Sequence, residues 1–216
     1  MLKGKYVSVL GDSISTYKGV SNDENAHSSI KYNPYRYSSP FPREKTYWQA
    51  VIDRLGATLC VNNSWSGGNL SGREDATAGV NRAGALAQEN GAVPDLIILF
   101  MGINDLGRGI APEVFFADYR QTLSTIRCAY PLAKTCCVNL PDRDPRLLAR
   151  AEAFNRAIAE AVALAGEDFF VADLFHSPLR DDVYYDNTLD GLHPDEDGMR
   201  MIADVVEQAI RTAYTP

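Results

Sequence analysis

The sequence predicts an α/β protein, a three-layer α/β/α sandwich on about five parallel strands. Three observations predict it. Short apolar runs alternate with amphipathic helical stretches from end to end. The clearest run, residues 96–101 (Leu-Ile-Ile-Leu-Phe-Met), is continuously apolar, as a strand covered on both faces must be. No Pro/Gly/Ser-rich linker, internal repeat or low-complexity tract divides the 216 residues, so one domain over 1–216 is expected.

The elements follow in order. Residues 5–10 form the first strand, ending at Gly11. A long irregular loop at about 21–45 has no convincing period but holds Tyr32, Pro34, Tyr35, Tyr37, Pro40, Phe41 and Pro42. It reads either as a functional lid or wall, or as a loop packed by its own aromatics. A short helix at 46–55 precedes the second strand at 58–62, and an alanine-rich helix is expected at 76–90. The third strand spans 95–101, and the helix at 112–130 opens with proline, whose fixed φ suits a first helical position. After the fourth strand, 135–140, a helix at 145–166 carries Leu147, Leu148, Ala151, Phe154, Ile158 and Val162 near helical spacing and stops at Gly166. The fifth strand is 169–172. The last helix, about 195–214, has an inner stripe of Met199, Ile202, Val205, Val206 and Ile210.

Composition excludes some functions. Hydrophobic residues at 45% and charged residues at 23% suffice for one sizeable core. A net charge of −7, with no clustered basic face, argues against nucleic acid and anionic membrane surfaces as partners. No apolar stretch reaches the roughly 18 residues of a membrane span. The first apolar run is too short for a signal-peptide core, so a cytoplasmic protein is expected, or a secreted form with its signal trimmed. Cys60, Cys128, Cys136 and Cys137 lack metal-ligand spacing and read as buried thiols.

In such sandwiches ligands sit beyond the C-terminal ends of the strands, near the switch in strand order. Four segments fall there. Gly11-Asp12-Ser13-Ile14-Ser15 follows the first strand and offers a hydroxyl at a tight corner, or merely a turn. Asn62-Asn63-Ser64-Trp65-Ser66-Gly67-Gly68-Asn69 follows the second and offers backbone N–H groups, or a glycine turn without function. Gly102-Ile103-Asn104-Asp105 follows the third; Asn104 is either an oxyanion donor or an Asx turn. Asp190-Gly191-Leu192-His193-Pro194 precedes the last helix. A carboxylate three residues before a histidine can hold Nδ1 and leave Nε2 free as a base; a surface or capping histidine is the alternative. Of the other histidines, His27 lies in the irregular loop and His176 lacks a comparable carboxylate–glycine arrangement.

Together these blocks resemble the SGNH hydrolases, the GDSL esterase/lipase family, over nearly the whole chain from Gly11 to Pro194. Ile14 stands where the family name has leucine. Gly67 aligns as the backbone donor, with Gly68 as the one-residue-shifted alternative. The resemblance implies a flavodoxin-like sandwich and a Ser13–His193–Asp190 triad. It also implies an oxyanion hole from the Ser13 and Gly67 N–H groups and the Asn104 side chain, and neither metal nor organic cofactor. The implied activity is hydrolysis of a small-molecule carboxylic ester through an acyl-enzyme on Ser13. The family acts on lipid esters, thioesters, acetylated sugars and aryl esters, so it does not choose among substrates. The aromatics, together with the lack of a long exposed apolar helix, lead to an expectation of short acyl groups such as O-acetyl on a carbohydrate or other small alcohol. Oligomeric state stays open. Rival readings are an acyltransferase using the same triad, a non-catalytic flavodoxin-like binding domain, and a metal hydrolase using His27, His176 and His193. The aromatics Tyr32, Tyr35, Tyr37, Phe41, Tyr47, Trp48 and Trp65 either wall a substrate pocket or pack the core and lid.

Overall fold

The computed structural model describes residues 2–17, 30–31, 41–142 and 144–215. Six strands run parallel: β1 (Tyr6–Gly11), β2 (Ile30–Lys31), β3 (Thr58–Ser64), β4 (Leu96–Phe100), β5 (Lys134–Val138) and β6 (Phe169–Ala172). Their order is β2-β3-β1-β4-β5-β6. Without the two-residue edge strand β2, which the sequence reading missed, this is second-first-third-fourth-fifth, the flavodoxin-like order. The chain therefore builds outward from β1 to one side, then crosses to the other. The switch point lies where β3 and β4 flank β1, with Gly11 level with both Ser64 and Phe100.

Five helices cover the sheet or its edge: α1 (Tyr47–Leu55), α2 (Gly79–Arg82), α4 (Pro112–Ala129), α5 (Leu148–Ala165) and α7 (Glu196–Ala213). Helix α1 packs on α7, α4 on α5, and α2 on α4. Two short helices, α3 (Ile103–Arg108) and α6 (Asp181–Asp186), lie in connections the sequence reading left unassigned. Both are one or two turns long, too short to show a helical period. The stripe Met199, Ile202, Val206 and Ile210 is buried on α7, whose first turn is capped by the Asp195 carboxylate accepting from the Gly198 N–H. The helix expected to open at 145 begins with a 3-10 turn, Pro145–Leu147, before α5.

The helix expected at 76–90 is corrected: only Gly79–Arg82 is helical. Alanine's propensity is a weak preference, and here tertiary bonds take the backbone groups that a helix would use. The Tyr130 hydroxyl donates to Gly84 O and accepts from Leu86 N, while the Asn63 amide donates to the carbonyls of Arg82 and Ala85. Cys60, Cys136 and Cys137 are buried as expected, but Cys128, on α4, is exposed. In the expected loop, residues 21–29 and 32–40 lie outside the described residues, and with them His27, Tyr32, Pro34, Tyr35, Tyr37 and Pro40. Residues 43–45 form a 3-10 turn leading into α1. No helix among the described residues is long and apolar enough to cross a membrane.

Candidate active site

Strand β1 ends at Gly11, where a Cβ would lie 2.4 Å from Ser15 Oγ and 2.8 Å from Ser64 Oγ. Only glycine lets the chain turn this close to its neighbours. The next residues coil into a 3-10 turn, Ser13–Ser15, capped by the Asp12 carboxylate accepting from Ile14 N at 3.0 Å. Trp48 Nε1 and Asn62 Nδ2 both donate to Ser15 O at 3.0 Å, and the Tyr47 and Ser15 hydroxyls are 2.8 Å apart. Tyr47 and Trp48 are fully buried, so they are core residues that hold this turn rather than a pocket wall. Trp65 is half-buried beside the glycine turn.

Between α6 and α7 the chain closes on itself. Leu189 N donates to His193 O at 2.8 Å, Asp195 N donates to Asn187 O at 3.0 Å, and the buried Tyr184 hydroxyl donates to Leu192 O. Inside this loop one Asp190 oxygen accepts from the backbone N–H groups of Leu192 and His193, and the other lies 2.8 Å from His193 Nδ1. His193 Nε2 is 3.0 Å from Ser13 Oγ, across 180 residues of sequence. Burial alone would raise the Asp190 carboxyl, but the His193 backbone and ring and the Leu192 N–H outweigh it and hold it below the usual carboxylate range.

The two other predicted site residues lie on the same rim. Gly67 is in the turn after β3 with φ +74°, and no described residue accepts its N–H. Asn104, in the first turn of α3, donates from Nδ2 to Gly68 O at 3.0 Å and, more loosely, to Asp12 Oδ2 at 3.4 Å. One amide N–H is thus fixed on the glycine turn, while the other is held weakly toward the residue before Ser13.

Sequence reasoning missed three charged residues that hold this rim. Asp105 is buried and accepts from Leu70 N and Ser71 N at 2.7 and 2.8 Å, tying the glycine turn to α3. Arg82 is a buried guanidinium donating to Thr77 O, Gly11 O and Asn63 O, so it joins the ends of β1 and β3; burial lowers its pKa to about 10. Asp12 is 1% exposed. Burial raises it to about 7, despite the Ile14 N–H and the proximity of His193 and Arg82. A charged residue inside the alanine-rich stretch was the one available signal for Arg82.

His176 is corrected. It does have a carboxylate at the same spacing: Asp173 Oδ2 is 2.8 Å from His176 Nδ1, and Asp173 Oδ1 accepts from His176 N. The intervening glycine is not needed for that geometry. His176 stands after β6, apart from His193, and no described hydroxyl bonds its Nε2.

The family model of the GDSL-like lipase/acylhydrolases matches residues 9–201. Among solved structures, a Bacteroides ovatus protein described as a GDSL-like lipase superposes with a TM-score of 0.70 at 21% identity, covering 96% of this chain and 98% of that one. A Lactobacillus plantarum protein gives a TM-score of 0.73 at 18% identity, covering 98% of each chain. A family two carbohydrate esterase from Clostridium thermocellum, in complex with cellohexaose, gives 0.69 at 18%, covering 98% of this chain and 65% of that one. No curated protein matches the chain in sequence.

Proposed function

The chain belongs to the GDSL-like lipase/acylhydrolase family and is a carboxylic-ester hydrolase; on that premise we propose that it works through an acyl-enzyme on Ser13, with short acyl esters of carbohydrates or similar small alcohols as substrates. The observation that carries the reading is the continuous chain of contacts from Ser13 Oγ to His193 Nε2 at 3.0 Å and from His193 Nδ1 to Asp190 at 2.8 Å.

Ser13 Oγ attacks the ester carbonyl as His193 Nε2 takes its proton. Asp190 fixes the ring so that Nε2 faces the hydroxyl, and its charge stabilises the imidazolium that forms. The tetrahedral oxyanion is met by the N–H groups of Ser13 and Gly67 and by the loosely held N–H of Asn104, which exchanges Asp12 for a charged acceptor. His193 then protonates the departing alcohol, leaving the acyl group on Ser13. Water, deprotonated by the same imidazole, releases the acid and regenerates the serine.

Two features support the substrate class. The half-buried Trp65 stands two residues before Gly67 in the turn after β3, close enough in sequence for its ring to serve as an aromatic wall. Carbohydrate esterases are among the proteins of the same fold, one of them holding cellohexaose.

A fluorophosphonate probe tests the nucleophile: mass spectrometry should find the adduct on Ser13, and an adduct elsewhere, or none, overturns the reading. A panel of p-nitrophenyl esters and acetylated sugars tests the substrate class, with acetyl esters expected to turn over fastest. Preference for long acyl chains would refute the short-acyl proposal, and partitioning of the acyl group to an added alcohol over water would identify an acyltransferase.

A further inference from the structure

The Asp173–His176 pair lines an open cleft of about 600 Å³ between β6 and α5. That volume lies within the range of small-molecule sites. Its floor is fixed by two side-chain amides. Asn155 exchanges two hydrogen bonds with the backbone of Leu140, and Asn139 accepts from Leu174 N and Phe175 N while donating to Asp173 at 2.8 Å. Above that floor the polar groups have bonding capacity to spare. His176 Nε2 has no partner among the described residues, and Arg156 and Glu152 stand 3.8 Å apart, beyond a hydrogen bond. Val171, Ala159 and the half-buried ring of Phe175 supply the apolar part.

We propose that this cleft is a second ligand site that takes an uncharged sugar ring. The inference rests on the carbohydrate-ester reading above, and assigns the cleft to a unit of the same glycan that the esterase site does not hold.

The lining selects the chemistry. Asp173 and Glu152 set two carboxylates against one guanidinium, Arg156, which disfavours a phosphate or another anion. A hydroxyl both donates and accepts, so a polyol satisfies the carboxylate oxygens, the guanidinium and His176 Nε2 together. The C–H face of a sugar ring matches Phe175 and Val171. Position fits as well. Asp173 and Ser13 both follow C-terminal strand ends, and β6 is three positions from β1 in the sheet, roughly 14 Å at the usual strand spacing. A glycan of several rings lying along the rim reaches both, so the cleft would raise the local concentration of ester at Ser13. The preformed floor lowers the ordering cost of binding there.

The test is binding without turnover. Full-length Ser13→Ala protein is titrated with unacetylated cellohexaose and xylohexaose, and the ring nitrogens of the three histidines are followed by NMR alongside calorimetry. We expect saturable movement of the His176 Nε2 resonance with at least one hexasaccharide. Glu152→Ala and Arg156→Ala should each weaken that binding by about five-fold, the effect of losing one hydrogen bond. Both side chains are substantially exposed on α5, so the variants do not threaten the fold. Movement of His193 alone, no movement of any ring, or binding that neither variant weakens would each overturn the proposal. Fluorophosphonate labelling of the unsubstituted protein reports on the esterase reading separately, so the two ideas fail by different measurements.

Discussion

The molecule contains the same short turn twice, with different surroundings. In both copies an aspartate three residues before a histidine bonds the ring Nδ1 at 2.8 Å with one oxygen and the histidine N–H with the other. In one copy the His176 side chain is 72% exposed and faces an open cleft; in the other the His193 side chain is 18% exposed and its far nitrogen meets Ser13. Chain geometry over four residues is therefore enough to build an Asp–His pair. A nucleophile is not a local property. It requires the parallel sheet to carry β1 to its centre, and α7, packed on α1, to bring the preceding loop to the same rim.

The largest predicted effect breaks the comparison at the hydroxyl and the ring. Ser13→Ala and His193→Ala should each lower kcat on p-nitrophenyl acetate by on the order of 10⁴-fold or more. His176→Ala removes a pair of identical local geometry, yet Ser13 should still take the fluorophosphonate label. Loss of labelling in His176→Ala with an intact fold would show that the two pairs act on one site. The next effect concerns the carboxylate. Asp190→Asn keeps the backbone bonds through Oδ1 but offers an N–H to Nδ1, which favours the wrong tautomer, and should cost about 10³–10⁴ in kcat. Asn104→Ala removes one oxyanion donor and should cost about 10²–10³ in kcat with little change in KM. A pure KM effect there would place Asn104 in substrate binding instead.

The difference between the copies also explains what was legible in the sequence. The central strands were readable because burial on both faces leaves continuous apolar runs such as Leu96–Phe100. The site blocks were readable because each follows a strand or precedes a helix, and their order along the chain matches a known family. Asp173–His176 is hard to see in sequence because no glycine separates its members, yet the bond forms across Leu174 and Phe175 all the same. Edge strand β2 has two residues and no period to detect. The segment around Gly79–Arg82 is not a long helix because, although its alanines favour helix locally, its backbone groups are claimed by Tyr130 and Asn63 from elsewhere in the sequence. Arg82 shows only as a lone charge in an alanine-rich stretch and Asp105 only as the last residue of its block; their partners are distant in sequence, so their roles emerge from the fold.

The smallest predicted effect sharpens the comparison through pH and stability. Asp173 and Asp190 are alike here too: burial alone would raise both, and hydrogen bonds hold both below the usual carboxylate range. A depressed carboxyl contributes stability that is fully present above its unfolded value near 3.8 and is lost as pH falls through the folded value. Asp12 has the opposite sign. Its folded value of about 7 lies above 3.8, so the folded chain keeps this proton longer than the unfolded one. The contribution of Asp12 to stability therefore declines as pH rises from about 4 to about 7 and is level beyond. Asp12→Asn retains an oxygen to cap Ile14 and cannot ionise, so it should gain on the unsubstituted protein across that window. Melting curves at pH 4, 6 and 8 measure the gain, which appears as about 2–4 °C per kcal/mol for a chain of this size. A difference in Tm that stays constant from pH 4 to pH 8 would mean that Asp12 is ionised in the folded state throughout, and that Asn104 shares the rim with a fixed negative charge.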